Sequence, residues 1–258
     1  MPNTRSDIRE PAVLERAPRK VALFVTCLVE DFRPEVGLAT VDVLERAGCE
    51  VGFDPRQTCC AQPAFNSGFH DEARRVARHT VEVLEAAEAV VLPSGSCAAM
   101  TRHWATLFEG EPEWSGRARR VAARCHELSS FLVRVLGRTE LGARFTGRVS
   151  WHDACHGLRE LELDAEPRAL LEAVEGLELV EAQGARRCCG FGGTFSVKFP
   201  ELSVAMLDRK LEGLAAAGVD AVVSGDISCL MQIEGRLARR GSPLQALHLA
   251  EVLAGGAP

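Results

Sequence analysis

Short apolar runs alternate with amphipathic stretches along most of this chain. Residues 21–26, 49–53 and 89–92 are apolar runs of the strand type, whereas 34–47 and 71–87 carry apolar residues at helical spacing. Strands that alternate with helices in this way are typical of parallel sheets with crossover helices. The first third of the chain is therefore predicted to be an α/β module with a small, mainly parallel sheet.

The same order of elements returns in the second half of the chain. Strands are predicted at 148–152, 177–181 and 221–224, helices at 168–174 and 201–217, and a strand passing into a helix at 244–253. Residues 117–136 have helical character between the two copies. The predicted organisation is a disordered lead-in at 1–19, a first module at 20–110, a helical linker at 111–146 and a second, pseudo-symmetric module at 147–258.

Eight of the ten cysteines follow the repeat. They occur in the order single, pair, single in each copy: Cys27, Cys59, Cys60 and Cys97, then Cys155, Cys188, Cys189 and Cys229. Between the single cysteine and the pair lie 31 residues in one copy and 32 in the other. Cys49 and Cys125 have no counterpart, and we expect them to be ordinary buried cysteines.

Each repeated cysteine follows a predicted strand. In open α/β sheets, groups beyond the carboxyl ends of the strands lie close together, so each set of four is expected to form one pocket in its own module. Cys97 and Cys229 also precede helical patterns, and the partial positive charge of a helix N-terminus stabilises a thiolate.

Four convergent thiolates suit an iron–sulfur cluster, and they also suit a structural zinc ion. The adjacent Cys59 and Cys60 favour a cluster, because neighbouring side chains diverge and reach two metals more easily than one. The glycines of GFGGTFS, which begins at Gly190, allow backbone N–H groups to approach sulfur closely. A zinc-stabilised scaffold stays open as an alternative. So does a thiol enzyme whose cysteine pair cycles between dithiol and disulfide.

Five motifs extend the picture beyond the cysteines: QTCCAQPAFNSG, PSGSCAAM, ACHGLRE, RCCGFGGTFSVKFPE and GDISCLMQIEG. At these motifs the chain resembles the CCG cysteine-rich iron–sulfur family. That family includes the cysteine-rich subunit of heterodisulfide reductase, the iron–sulfur subunits of glycolate oxidase and anaerobic glycerol-3-phosphate dehydrogenase, and lactate utilization protein A. PSGSCAAM and GDISCLM are most similar to the lactate-utilization branch.

The resemblance implies that the eight repeated cysteines hold one or two iron–sulfur clusters of the 4Fe–4S type. It also implies a non-autonomous subunit of an oxidoreductase system. For the lactate branch, this means electron transfer during oxidation of L-lactate to pyruvate. The partners would be a ferredoxin-like iron–sulfur protein and a further lactate-utilization subunit.

The chain departs from the family pattern at three positions. The first pair is followed by Ala61, where the family motif has glycine. Heterodisulfide reductase has a fifth cysteine three residues after the last one, where this chain has Met100 and Gln232. We therefore expect neither the unusual non-cubane cluster nor disulfide cleavage, although a heterodisulfide-reductase-type thiol function is retained as the runner-up.

Three further residues are candidates for chemistry near the second set of cysteines. His152 and His156 flank Cys155, and each could ligate iron, donate to cluster sulfur or transfer protons. Arg159 could bind a substrate carboxylate, or pair with a neighbouring glutamate. No catalytic residue is assigned from the sequence.

Composition excludes several classes of protein. The net charge of −6 and the pI of about 5.7 do not suit nucleic-acid binding. The sequence has no nucleotide-binding motif and no apolar run long enough for a membrane span. Its first 20 residues lack the apolar region of a secretory signal. Together with the clustered cysteines, this predicts a cytoplasmic protein whose thiols are reduced.

Overall fold

The computed structural model describes residues 18–255, so the predicted lead-in at 1–19 lies outside the described residues except for its last two positions. The strands of the described range are β1 Lys20–Leu23, β2 Glu50–Gly52, β3 Ala89–Leu92, β4 Cys125–Glu127, β5 Arg144–Trp151, β6 Glu175–Leu179, β7 Ala221–Ser224 and β8 Gln245–His248.

The helices that cover these strands are mostly amphipathic. They are α1 Cys27–Phe32, α2 Pro34–Arg46, α3 Gln62–Asn66, α4 His70–Leu84, α5 Gly95–Leu107, α6 Pro112–Ala122, α7 Leu128–Ser130, α8 Cys155–Glu160, α9 Ala165–Glu172, α10 Thr194–Lys198, α11 Pro200–Ala217, α12 Ile227–Arg240 and α13 Leu249–Leu253. A π-helical turn at Phe131–Val135 continues α7. Within residues 18–255, no helix combines the length and the hydropathy that crossing a bilayer would require.

Two parallel four-stranded sheets have the same strand order. The orders are β2-β1-β3-β4 and β6-β5-β7-β8. Val21 pairs with Ala89 in the first sheet as Val149 pairs with Ala221 in the second. The central strands β3 and β7 are buried at every position, because helices cover both faces of a parallel sheet. The predicted α/β class and tandem repeat are confirmed.

The segment predicted to be a helical linker contains a strand. Helix α6 fits the prediction, but Cys125–Glu127 forms β4 and pairs in parallel with β3 at the edge of the first sheet. This strand has only three residues, and CHE shows no alternation of apolar and polar positions. Its extended conformation depends on pairing with β3, which is not visible in the local sequence.

The two modules pack against each other through helices and specific polar contacts. Helix α2 of the first module contacts α13 of the second, and apolar residues of both belong to one buried cluster. The Arg33 guanidinium lies 2.9 Å from the Glu251 carboxylate. The buried His248 donates from Nε2 to the Pro93 carbonyl at 3.1 Å, while its Nδ1 accepts from Ala250. These contacts fix the orientation of one sheet relative to the other.

Candidate metal centres

The cysteines lie where the strand order reverses. In each sheet the chain leaves the first strand in one direction and the third in the other, which opens a crevice at their carboxyl ends. Cys27 is the first residue of α1, and Cys97 lies in the first turn of α5. Cys155 and Cys229 have the same places in α8 and α12.

The first set of cysteines is in mutual contact. The Sγ atoms of Cys27 and Cys59 are 3.7 Å apart, and those of Cys60 and Cys97 are 3.2 Å apart. Hydrogen bonds from the thiols of Cys27 and Cys60 lower the pKa of Cys59 to about 3. The same contacts, together with burial, raise the pKa of Cys27 and of Cys60 well above the ordinary value. These contacts favour the thiolate form of Cys59 beside the thiols of Cys27 and Cys60.

The second set repeats this arrangement. Cys188 accepts hydrogen bonds from Cys155 and Cys189, which lower its pKa to about 2 with help from the backbone N–H of Gly190. Cys189 contacts both Cys188 and Cys229, and its pKa is raised. The N–H groups of Gly190 and Phe191 point at the Sγ atoms of Cys188 and Cys189, at 3.4 and 3.5 Å. The glycine-rich loop therefore supplies the donors to sulfur that its sequence predicts.

The position after each cysteine pair has a left-handed backbone. Ala61 has φ of 78° and Gly190 has φ of 84°. A Cβ at Gly190 would lie 2.5 Å from the Ser203 carbonyl oxygen, so glycine is required there by both conformation and space. The alanine of the first module adopts the same turn at a conformational cost.

Unpartnered buried polar atoms adjoin both sets of cysteines. In the part of the chain that the structure describes, Thr26 Oγ1 and both ring nitrogens of His152 have no hydrogen-bond partner of good geometry, although the Ala185 carbonyl lies near the His152 ring. Such atoms are costly unless a bound group satisfies them. Four adjacent thiols also cannot all ionise without a compensating cation. The donor set therefore fits a thiophilic metal or an iron–sulfur cluster.

Seven of the eight repeated cysteines, all except Cys59, line one cavity of about 350 Å³. Each set gathers within its own module, and the two sets share this cavity because the modules dock with the carboxyl edges of their sheets facing each other. Asp226 lies at this junction and is 1% exposed. Its Oδ2 accepts from Ser96 N of the first module at 2.7 Å, and its Oδ1 caps α12 by accepting from Ser228 N. One carboxylate thereby holds together the two helices that carry Cys97 and Cys229.

The comparisons with known proteins identify the modules. A model described as a cysteine-rich domain, CCG, matches residues 21–102 and 149–234. The chain belongs to the CCG family. It is 48% identical to lactate utilization protein A of Exiguobacterium sp., over 90% of this chain and 96% of that protein. It is also 48% identical to lactate utilization protein A of Geobacillus kaustophilus, over 91% and 98% of the two chains.

A solved structure resembles the fold of the paired CCG modules. It is a hypothetical protein from Helicobacter pylori, with a TM-score of 0.61 and 10% sequence identity. The match covers 94% of this chain and 50% of that one. At this identity the likeness supports the fold alone.

Met100 and Gln232 occupy the positions at which heterodisulfide reductase has its fifth cysteine, and both stabilise the fold of their modules. Met100 is 1% exposed and packs in the core of the first module. Gln232 donates to the hydroxyl of Ser203, which in turn donates to the Gly190 carbonyl. These two side chains therefore pack within their modules, and neither is among the residues that line the described cavity.

The three other candidate residues, His152, His156 and Arg159, lie at different distances from the cysteines of the second CCG module. His152 is buried, and one of its nitrogens lies within 4.8 Å of the Sγ atoms of Cys189 and Cys229. His156 lines the cavity, with Nδ1 3.6 Å from Cys155 Sγ and Nε2 3.6 Å from a Glu160 oxygen. Arg159 lies at the end of α8 and is not among the described cavity-lining residues.

Cys49 and Cys125 lie apart from both CCG sites. Cys49 belongs to the core between the modules, and Cys125 packs in the second core of the first module. Burial raises the pKa of Cys125 to about 12. Cys49 is buried and Cys125 is half-buried, and the raised pKa of each thiol disfavours the reactive thiolate form.

Three residues beside the CCG sites are not singled out from the sequence, although Asp226 lies within the GDISCLMQIEG motif. Thr26 and Asp226 are ordinary polar residues whose position becomes informative only once the modules are docked. Lys210 is 2% exposed and donates to the carbonyls of Gly184 and Ala185, both at 3.0 Å. The helical spacing of α11 that places Lys210 inward is the one signal that the sequence offers for it.

Proposed function

We propose that this chain is an iron–sulfur electron-transfer subunit of a system that oxidises L-lactate to pyruvate. The observation that carries the proposal is the repeated contact of four cysteines at the strand ends of two CCG modules. The eight cysteines Cys27, Cys59, Cys60, Cys97, Cys155, Cys188, Cys189 and Cys229 would hold the clusters. The substrate is taken from the name of the relatives, lactate utilization protein A.

Bound clusters would accept and release electrons one at a time. The oxidation of lactate to pyruvate releases two electrons and two protons, so two centres in one cavity match the electrons of one turnover. The role of the polypeptide is to orient the thiolates, donate to sulfur from the loop after Cys189, and shield the site. Helices that begin at or next to the cysteines place their positive ends toward the anionic centres.

The lining of the cavity supports a division of labour between this chain and its partners. None of the residues that line the described cavity is a lysine or arginine, while Asp226 adds a carboxylate. A lactate carboxylate would find no lysine or arginine there, in contrast to sites that bind carboxylates with arginine. We therefore propose that lactate is oxidised on a partner subunit. A ferredoxin-like iron–sulfur protein and a further lactate-utilization protein are the proposed partners.

Iron and sulfide analysis of anaerobically purified protein tests the proposal. We expect about four iron and four sulfide per module and a brown colour, as for 4Fe–4S clusters. Cys27→Ser should remove about half of the iron, and Cys155→Ser the other half. Cys49→Ser is the matched control and should retain all of it, because Cys49 lies in the core.

Three results would contradict the proposal. Iron at trace level with stoichiometric zinc would favour the zinc-stabilised scaffold. A two-electron thiol titration without visible absorbance would favour the dithiol enzyme. Rapid lactate oxidation by the purified single chain would refute the division of labour.

A further inference from the structure

The two modules differ at one position directly beside the cysteines. Their backbones are equivalent there: Phe24 N donates to the Val91 carbonyl at 2.9 Å, and His152 N donates to the Val223 carbonyl at 2.8 Å. Each residue lies three positions before the first cysteine of its set. The first module thus has an apolar ring where the second has an imidazole.

The His152 ring is placed as a metal ligand would be. It is 1% exposed, and within residues 18–255 neither ring nitrogen has a hydrogen-bond partner of good geometry. One nitrogen lies within 4.8 Å of both Cys189 Sγ and Cys229 Sγ. Leaving a buried imidazole without partners is costly, and imidazole suits iron as well as zinc. Phe24, its counterpart, is fully buried and has no ligand atom.

The two modules also differ in one buried side chain on the helix that follows each cysteine pair. Lys210 lies eleven residues after Phe199, the residue that precedes α11, and Thr80 lies eleven residues after Phe69, which precedes α4. Both side chains are buried and donate to carbonyls near the cysteine pair: Thr80 to Cys59 O at 2.9 Å, Lys210 to Gly184 O and Ala185 O. The second module therefore contains a buried ammonium group where the first contains a hydroxyl.

We propose that His152 supplies a nitrogen ligand to the centre of the second module in place of one of its four thiolates, and that this centre has the higher reduction potential of the two. The inference rests on the proposed iron–sulfur function. A neutral imidazole brings less negative charge to a cluster than a thiolate does, and histidine ligation raises cluster potentials in known cases. The ammonium of Lys210 favours the more negative, reduced state of the same centre. The first module has neither feature.

Pulsed EPR of the anaerobically purified whole chain, with ¹⁵N-labelled histidine, tests the ligand directly. We expect a strong nitrogen hyperfine coupling from one of the two reduced centres. His152→Phe, which installs the residue of the first module, should abolish it while iron in the first module is retained. His156→Phe is the matched control, since His156 also adjoins Cys155, and it should preserve the coupling.

A potentiometric titration followed by EPR tests the order of the potentials. Two reduction steps are expected, and Cys155→Ser should remove the upper one. The upper step should move to lower potential in His152→Phe and in Lys210→Met, while the lower step stays in place.

The inference would be overturned if iron-loaded wild type showed no histidine coupling. It would also be overturned if His156→Phe removed the coupling, or if Cys27→Ser removed the upper step. The labelled wild-type spectrum decides the ligand even if a variant does not fold. Iron at trace level would instead refute the proposed function, and with it this inference, so the two failures are distinguishable.

Discussion

Substitution of Gly190 by alanine tests how tightly the second cysteine loop is held against its support. The added Cβ would lie 2.5 Å from the Ser203 carbonyl oxygen in a backbone with φ of 84°. That oxygen is part of α11, so the overlap can be relieved only by moving the loop or the helix. The loop carries Cys188 and Cys189, and any displacement therefore changes the metal site as well.

Two contributions set the loss of stability that we expect for Gly190→Ala. A left-handed conformation costs a residue with a Cβ about 1–2 kcal/mol relative to glycine. Overpacking against a backbone that cannot rotate away costs about 1–3 kcal/mol more. A total of about 3 kcal/mol corresponds to a fall in melting temperature of about 10 °C for a protein of this size.

Gly241→Ala is the matched control for this experiment. Gly241 has φ of 58°, but a Cβ there would meet no atom within 4 Å, so only the conformational cost applies. We expect Gly190→Ala to lower the melting temperature about two to three times as much as Gly241→Ala, measured by thermal unfolding under anaerobic conditions. Bound iron should fall only in Gly190→Ala.

Equal destabilisation by the two substitutions would refute the reasoning. It would mean that the contact with Ser203 is not limiting, and that any glycine in a left-handed turn of this chain is equally sensitive. An unchanged iron content in a destabilised Gly190→Ala would separate the stability of the loop from its role in holding metal.

Three further predictions concern the first module and the junction. Ala61→Gly should stabilise the protein by up to about 1 kcal/mol in urea unfolding, because glycine removes the left-handed strain but adds chain entropy. Asp226→Asn retains an oxygen to cap α12 but loses the acceptor for Ser96 N, so it should cost about 1–2 kcal/mol, and Asp226→Ala about twice that. Burial raises the pKa of Glu127 to about 7. Its contribution to stability is therefore present below about pH 4.5 and lost as the pH rises through about 7. Glu127→Gln should gain on wild type by roughly 2 kcal/mol between pH 5.5 and 8 in urea unfolding.

Each of these predictions has an outcome that contradicts it. A destabilised Ala61→Gly would mean that the Ala61 methyl group contributes more by packing than its backbone costs. If Asp226→Asn had wild-type stability, the carboxylate of Asp226 would not contribute to the docking of the two modules. A difference between Glu127→Gln and wild type that does not change with pH would place the pKa of Glu127 in its ordinary range.

Much of the fold can be predicted because its determinants are local. Strand β3 has the predicted limits, and α2 and α11 end within one residue of theirs. The short helices α1 and α8 are not predicted, since six residues that begin at a cysteine carry little periodicity. Strand β4 falls inside the predicted helical linker because its three residues are extended only through pairing with β3.

By itself, the sequence determined the duplicated α/β scaffold and the two matching sets of cysteines. Apolar runs and helical spacing are properties of neighbouring residues, and cysteines that follow strands meet wherever a parallel sheet brings those strands together. Only the tertiary structure decided that both sets face one cavity, that the His152 ring is buried beside Cys189 and Cys229, and that Lys210 lies close to the second set. Those features depend on how α2 packs on α13 and on which way buried side chains point. Both are set by contacts between residues that are far apart in the chain.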